Sequence, residues 1–356
     1  MSINLLTKYA DKLPPLFGHK SYIAGHTSEG YKFDGAKSIV VIDDIPVDFG
    51  DYTRSGTARY GTPTDVQDWK QTMTLRYDAS VARVIDKGDR MQQGYLKTAG
   101  RVVKKQITQK ANPMLDKNAF KEWAQNAGQV IDAAATISKS NIVDLVLAME
   151  LAMNNKAVDP EDRTLFIKAT YENAIRLSTQ FDNCDSLKTK FVIHGLIGRI
   201  GRFMVVGVPD GWFPTNVAAI GTYKESVFAP VQLKDVNYHK DPPNISGDLI
   251  NIRMIYDAFV RGALADGVVV LVESGKKTAT PAATKGSTTT ALASTTNSGT
   301  VDIKYTTDGT DPRYSDTAQA YSAAITNPDA GTVIKAVAYK FSAGLYGSDV
   351  LEHTCV

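Results

Sequence analysis

The sequence predicts an α+β chain that ends in a small all-β sandwich. Three observations carry this. Over the first 273 residues, helical and strand segments are mixed without a regular strand–helix–strand repeat. The composition then shifts: from Ser274 to Val301 there is no acidic residue, and Thr, Ala, Ser and Gly dominate. After the shift, short β-branched segments alternate with turn residues such as Asp308-Gly309, Asn327-Pro328 and Ala330-Gly331. The chain has 356 residues, 43% of them hydrophobic and 22% charged, which is enough apolar material for a large core and about two domains.

The segment "DVQDWKQTMTLRY" alternates. Gln67, Trp69, Gln71, Met73, Leu75 and Tyr77 face one way, and Asp68, Lys70, Thr72, Thr74 and Arg76 the other. "ASVARVIDK" follows after a short turn, so a long β-hairpin is expected over 54–86. Its modestly apolar face suits a projecting arm that packs on a neighbouring chain. Trp69, Met73, Leu75, Arg76 and Tyr77 are therefore the expected subunit-interface residues. Next, "DRMQQGYLKTAGRVVKKQITQK" reads as a helix stopped before Asn112-Pro113. Arg90, Lys97, Arg101, Lys104, Lys105 and Lys110 lie in it with no acid among them. Lys97, Arg101, Lys104 and Lys105 recur at helical spacing and form a cationic face, suited to DNA phosphates or to solvent.

"MLDKNAFKEWAQNAGQVI" and "SNIVDLVLAMELAMNN" read as two further helices. The second is core through Ile142, Leu145, Val146, Met149 and Met153. "TLFIKA" reads as a buried strand and "TYENAIRLS" as a helix. "IGRIGRFMVVGV", "NVAAIGT", "VQLKDVNYHKDPP" and the stretch from "NIRMIY" to "GVVVLV" supply the remaining strands. The Thr-rich run is read as a short linker, 274–280, followed by a strand, "STTTALAST". "TVDIKYTT", "AQAYSAAIT", "TVIKAVAYK" and "GSDVLEHT" complete the sandwich, in which Val333, Lys335, Val337 and Tyr339 share one strand face.

Several chemistries find no support in the residues. His19, His26, His194, His239 and His353 show no metal-ligand spacing, and zinc-type cysteine pairs are missing. There is no Gly-x-Ser-x-Gly elbow, and Gly195, Gly198 and Gly201 do not form a phosphate loop. Catalytic, cofactor-binding and metal sites are thus expected to be none. Asp308, Asp311 and Asp316 suit Asx-turn bonding better than calcium. Cys184 and Cys355 form no disulfide framework, which fits folding in cytoplasm. "MSINLLTKYADKL" carries charge early and has no signal-peptide core, and no apolar run has membrane-spanning length. The net charge is only +2, so any nucleic-acid contact must be local. Acidic "DDIPVD", from Asp43 to Asp48, is a weak candidate partner for such cations on a neighbour.

Two resemblances follow. "IKYTTDGTDPRYSDTAQAYSAAIT…GTVIKAVAYK" resembles the immunoglobulin-like module that ends chitobiase and β-hexosaminidase chains, where it is an accessory. An ordered set of segments in residues 1–273 resembles the major capsid protein of tailed bacteriophages, the Hong Kong phage type. "DYTRSGTARYGTPTDVQDWKQTMTLRYDASVARVIDKGD" is similar to that family's extended loop. "NPMLDKNAF" is similar to the Pro-x-x-Asp after its spine helix, and "VDPEDRTLFIKATYENAI" to a unit of its axial domain. "GLIGRIGRFMVVGVP" and "DPPNISGDLINIRMIYDAFVRGALADGVVVL" resemble later strands, with Arg202 where a Gly is common.

The resemblance implies an N-terminal arm at 1–53, an extended β-hairpin loop at 54–90 and a capsid core at 91–273. That core would hold the spine helix and the peripheral and axial domains. The linker at 274–280 and an immunoglobulin-like β domain at 281–356 follow. It implies a self-assembling, non-enzymatic shell subunit of the virion, made in the host cytoplasm and forming pentamers and hexamers of an icosahedral head. The β module would project outward on a short tether. Expected partners are further copies of itself, a scaffolding protein, the portal, packaged DNA by non-specific contact and host-surface glycans through the module, with no membrane. The scaffolding partner is expected because the arm-like sequence starts at Met1, with no charged helical segment before it. The competing readings are a carbohydrate-binding adhesin and a glycoside hydrolase with an accessory module. The first lacks a signal, and the second needs two carboxylates that the sequence cannot pair.

Overall fold

The computed structural model describes residues 21–30, 33, 37–44, 49, 51–52, 54–55, 59–60, 68–88, 99–178, 198–296 and 301–355. Its centre is a six-stranded mixed sheet. The strands run in the order β4 (Gln129–Asp132), β13 (Val268–Val272), β8 (Val217–Tyr223), β5 (Arg163–Lys168), β7 (Phe203–Val208), β6 (Arg199–Ile200). The β13–β4 and β5–β7 pairs are parallel and the others antiparallel. The period of two sends alternate residues to opposite faces. Phe166, Ile220, Val268, Val270 and Val272 enter one core cluster, with Phe120 and Trp123. Leu165, Ile167, Ala219, Val269 and Leu271 enter a second, with Ile142, Val146, Met149 and Met153. Because both faces are covered, these strands read as unbroken apolar runs, "TLFIKA" and "GVVVLV".

The helical segment before this sheet differs from expectation. Helix α1 (Ala99–Gln106) runs through a π turn (Ile107–Ala111) straight into α2 (Asn112–Gln125). The break expected at Asn112-Pro113 does not occur. Pro113 follows directly on the π turn, in which the Asn112 amide donates to the Ile107 carbonyl five residues back, and Asn112 keeps helical angles, φ −58° and ψ −51°. The wider π turn gives the proline ring room. The helix expected to run on through "QVI" ends at Gln125, and Gln129–Asp132 is strand β4. Gly128 makes that turn: a Cβ there would lie 2.1 Å from the Ala265 carbonyl oxygen. Helices α3 (Ile142–Asn155) and α4 (Ala169–Arg176) match their apolar spacing.

The expected hairpin is corrected by the register. Strand β2 (Asp68–Thr74) pairs with β1 (Ser38–Asp44), from Ser38 opposite Thr74 to Asp44 opposite Asp68. Strand β3 (Tyr77–Asp86) pairs instead with β11 (Gly247–Tyr256), which also pairs with β10 (Val231–Lys240). The link Leu75-Arg76 contains none of the turn residues a tight hairpin demands. Leu75 is buried and the Arg76 side chain is anchored, so the chain swings from one sheet into another. Strands β9 (Val227–Phe228) and β12 (Phe259–Val260) form a small ladder below.

The C-terminal region is all β. One sheet holds β14 (Ala282–Lys285), β15 (Thr289–Ala293) and β18 (Ile325–Thr326). The other runs β17 (Gln319–Ala320), β16 (Asp302–Thr306), β19 (Val333–Tyr339), β20 (Leu351–Thr354). Leu292, Ile303, Ala336 and Ala338 fill the space between them. The alternation along β19 holds: Ile334, Ala336 and Ala338 are fully buried, opposite the face that carries Lys335. No helix among the described residues is long and apolar enough to cross a membrane.

Candidate assembly surfaces and the docked C-terminal region

The hairpin face expected to seek a neighbour is largely used inside its own chain. Met73 (1% exposed) and Leu75 (2%) pack with Phe33, Val41 and Phe228. Those two are therefore intramolecular core, a correction to the interface expectation. The reason is the β1–β2 pairing, which turns this face onto the strands that follow β8. Arg76 donates from Nε to Asp257 at 2.9 Å and from a terminal nitrogen to Glu122 at 2.7 Å. The hydrogen bond to Asp257, aided by Glu122, holds the guanidinium protonated. Tyr77 stacks on Tyr256, and its hydroxyl reaches Glu122 at 3.4 Å. The Trp69 backbone lies opposite Asp43 in the β1–β2 ladder. The outward hairpin face carries Val40 (52% exposed) and Ile42 (59%).

The cationic helix is partly described. Lys97 lies outside the described residues, as do Arg90 and most of the 1–53 arm. On α1, Lys104 and Lys105 are exposed and Arg101 is half-buried. Val102 and Val103 turn the other way, onto Val81, Ile85, Ile250 and Ile252 of the β3–β11–β10 sheet. The apolar side is thus spent on the sheet and the two lysines point away from it. The described end of the arm is anchored on the core. The Ser21 hydroxyl and the Tyr22 amide donate to the two oxygens of buried Asp116, at 2.5 and 2.8 Å. Burial pushes the Asp116 carboxyl above the usual carboxylate range, against the pull of these bonds.

The most developed site was missed in the sequence. It is the loop 307–318, between β16 and β17. Asp308 accepts from the Thr310 amide, the Thr310 hydroxyl and the Thr317 hydroxyl, an Asx turn with Gly309 at φ +77°. Asp311 accepts from the backbone and the guanidinium of Arg313. Arg313 in turn donates to the carbonyls of Ala127 and Gly128, at 3.0 and 2.6 Å. Tyr314 is buried in the main core cluster, and its hydroxyl donates to the Asn126 carbonyl at 2.7 Å. Asp316 accepts from the Thr72 amide and hydroxyl. Asp308 and Asp311 each accept from the amide two residues on, as the Asx-turn reading expects, whereas Asp316 bonds Thr72 of the distant strand β2 instead.

Two further contacts complete the junction. The Tyr346 hydroxyl donates to the Thr215 carbonyl at 2.7 Å, and the Asn216 side-chain amide donates to the Gly344 carbonyl at 3.1 Å. Asp132, at the end of β4, accepts from the backbone amides of Gly275, Lys276 and Lys277. The segment expected as a free tether is therefore bonded to the core, and the β region is docked. "DPRYSD" reads as a polar turn; its only signal was an Arg-Tyr pair between aspartates. Asp116 and Asp132 carried no motif of their own as acceptors of backbone amides.

This architecture is the tailed-phage capsid fold of the Hong Kong phage type, joined to an all-β C-terminal region. A chain from Mycobacterium phage Che8 aligns with a TM-score of 0.63 at 15% identity, over 76% of this chain and 98% of that one. The capsid of the cyanophage P-SCSP1u aligns at 0.64 and 12% identity, over 76% and 93%. The mature capsid of bacteriophage PhiM1 aligns at 0.60 and 12%, over 76% and 92%. Residues 291–354 match the family described as Fn3 associated. No curated relative matches the chain by sequence.

Proposed function

We propose that this chain is the major capsid protein of a tailed phage. Copies assemble into the pentamers and hexamers of an icosahedral head that encloses the genome. The observation that carries the reading is the near-complete coverage of phage capsid chains, 92–98% of their length, by one continuous fold here. A shell subunit needs arms that bury surface on several neighbours more than it needs pockets. The hairpin, with Val40 and Ile42 exposed on its outward face, supplies such an arm. Trp69, near the far end of the β1–β2 ladder, and Arg76 and Tyr77, beyond its base, are the remaining proposed interface residues.

The cationic face of α1, with Arg101, Lys104 and Lys105, lines the inner wall and meets packaged DNA through phosphates, and Lys97, outside the described residues, is proposed to join it. The C-terminal β region lies on the outer face, where host-surface glycans are its candidate ligands. A scaffolding protein and the portal are the remaining partners, and the work of the chain is structural and non-enzymatic. The test is expression of the full chain, alone and together with its scaffolding protein, followed by size exclusion and negative-stain microscopy. Capsomers or closed shells support the reading, and a stable monomer at high concentration refutes it.

A further inference from the structure

The structure points to a second role for the C-terminal β region: we propose that it is an intramolecular clamp that fixes the angle of the β1–β2 hairpin over the core. The loop 307–318 is the key of this clamp and Asp316 its contact. Among the described residues, strand β2 has a strand partner on one edge only, β1. On its other edge the Thr72 amide meets Asp316 Oδ1 at 3.2 Å, and the Thr72 hydroxyl meets Oδ2 at 2.5 Å. An edge amide is ordinarily left to water or to another chain. Here a carboxylate from 244 positions away takes both donors of one residue.

Apolar packing acts on one side of the hairpin. The apolar contacts of the hairpin lie on one side, through Val41, Met73 and Leu75. On the side of Thr72 and Thr74 there is a cavity of about 260 Å³ between the hairpin, Glu122 and Tyr314. Arg76 ties the base of the hairpin to Asp257 and Glu122, and Gln71 bonds the Val260 carbonyl and the Gly262 amide, so the core-facing side is held by polar as well as apolar contacts, while the free edge of β2 at Thr72 stays open to rocking toward the void. The Asp316–Thr72 bonds bridge that side. They are effective because the key is rigid before it engages. Asp308 and Asp311 fix the loop internally, Arg313 ties it to the carbonyls of Ala127 and Gly128, and Tyr314 is buried in the core. A small rotation at Thr72 would be magnified along the hairpin, since each residue of strand adds about 3.3 Å. The clamp rests on this geometry. Its consequence, a hairpin presented to the neighbouring subunit at one set angle, rests on the capsid reading.

The test uses full-length protein carrying Asp316→Ala, with Thr72→Val as a second variant that keeps the amide. Two readouts are needed. Hydrogen exchange at the Thr72 amide should accelerate roughly ten-fold in Asp316→Ala, the effect of removing a charge-assisted bond of about 1.4 kcal/mol, while β19 keeps its protection. Spin labels at Ile42→Cys and Glu161→Cys, with Cys184 and Cys355 replaced by Ala, should give one narrow distance. That distance should broaden in both Asp316→Ala and Thr72→Val. Unchanged exchange and an unchanged distance distribution, with β19 still protected, overturn the clamp. Particle formation is scored separately. Particles with an unresponsive hairpin refute the clamp and keep the capsid reading, and a responsive hairpin in a protein that never assembles does the reverse.

Discussion

Tyr314 offers the sharpest test of whether the C-terminal region is docked. Its ring is 6% exposed and sits among Phe120, Trp123, Val260 and Val268 in the main core cluster. Replacing a large buried aromatic by Ala costs about 3–5 kcal/mol, from forfeited transfer energy and the cavity left behind. The Arg313 guanidinium lies 5.4 Å from the ring centroid, which adds about 0.5–2 kcal/mol of cation–π attraction. Tyr314→Phe keeps the ring and removes only the bond to the Asn126 carbonyl at 2.7 Å, costing about 1–2 kcal/mol. The assay is denaturant unfolding of the full chain, followed by tryptophan fluorescence, because Trp123 shares the cluster. The expected order is wild type, then Tyr314→Phe, then Tyr314→Ala, with the midpoint falling at each step. A swinging module would leave both variants within about 0.5 kcal/mol of wild type, and that result would refute docking.

Two further predictions concern charge. Burial raises the Asp116 carboxyl above its ordinary value of 3.8, so in the window from 3.8 upward the folded chain holds a proton that the unfolded chain has released. Stability from this group is present below 3.8 and is lost as pH rises through the raised value. Asp116→Asn should remove that component, seen as a stability-versus-pH curve that falls less steeply than the wild-type curve above 3.8, and superimposable slopes would argue against it. Lys104→Glu with Lys105→Glu should weaken DNA retention and reduce the salt slope by about two, near 0.9 for each phosphate no longer neutralised; identical retention from low to high salt would remove α1 from the inner wall.

Much of the fold was legible where the code is local. Ile142, Val146, Met149 and Met153 recur at helical spacing and are all fully buried. The unbroken run "GVVVLV" belongs to a strand covered on both faces, and the alternation along β19 puts Ile334, Ala336 and Ala338 on one buried face, with Val337 buried on the other. What could not be read was pairing. Met73 and Leu75 alternate correctly, yet the sequence does not say that β2 seeks Ser38–Asp44 rather than β3. Pro113 likewise looks like a stop until a π turn makes room for it. The docked loop was invisible for a related reason. Asp316 and Thr72, or Arg313 and Gly128, are far apart in the chain, and a backbone carbonyl or amide leaves no mark in a sequence. Polar residues that bond backbone groups look like solvated turns until the fold brings the two together.

The most direct measurement is cryo-electron microscopy of particles assembled from the full-length chain co-expressed with its scaffolding protein. Closed icosahedral shells should appear, built of pentamers and hexamers. In them the β1–β2 hairpin of each subunit should lie on a neighbour, with the C-terminal β region against its own core on the outer face. A protein that stays monomeric at assembly concentrations, or shells with that region facing the lumen, would contradict it.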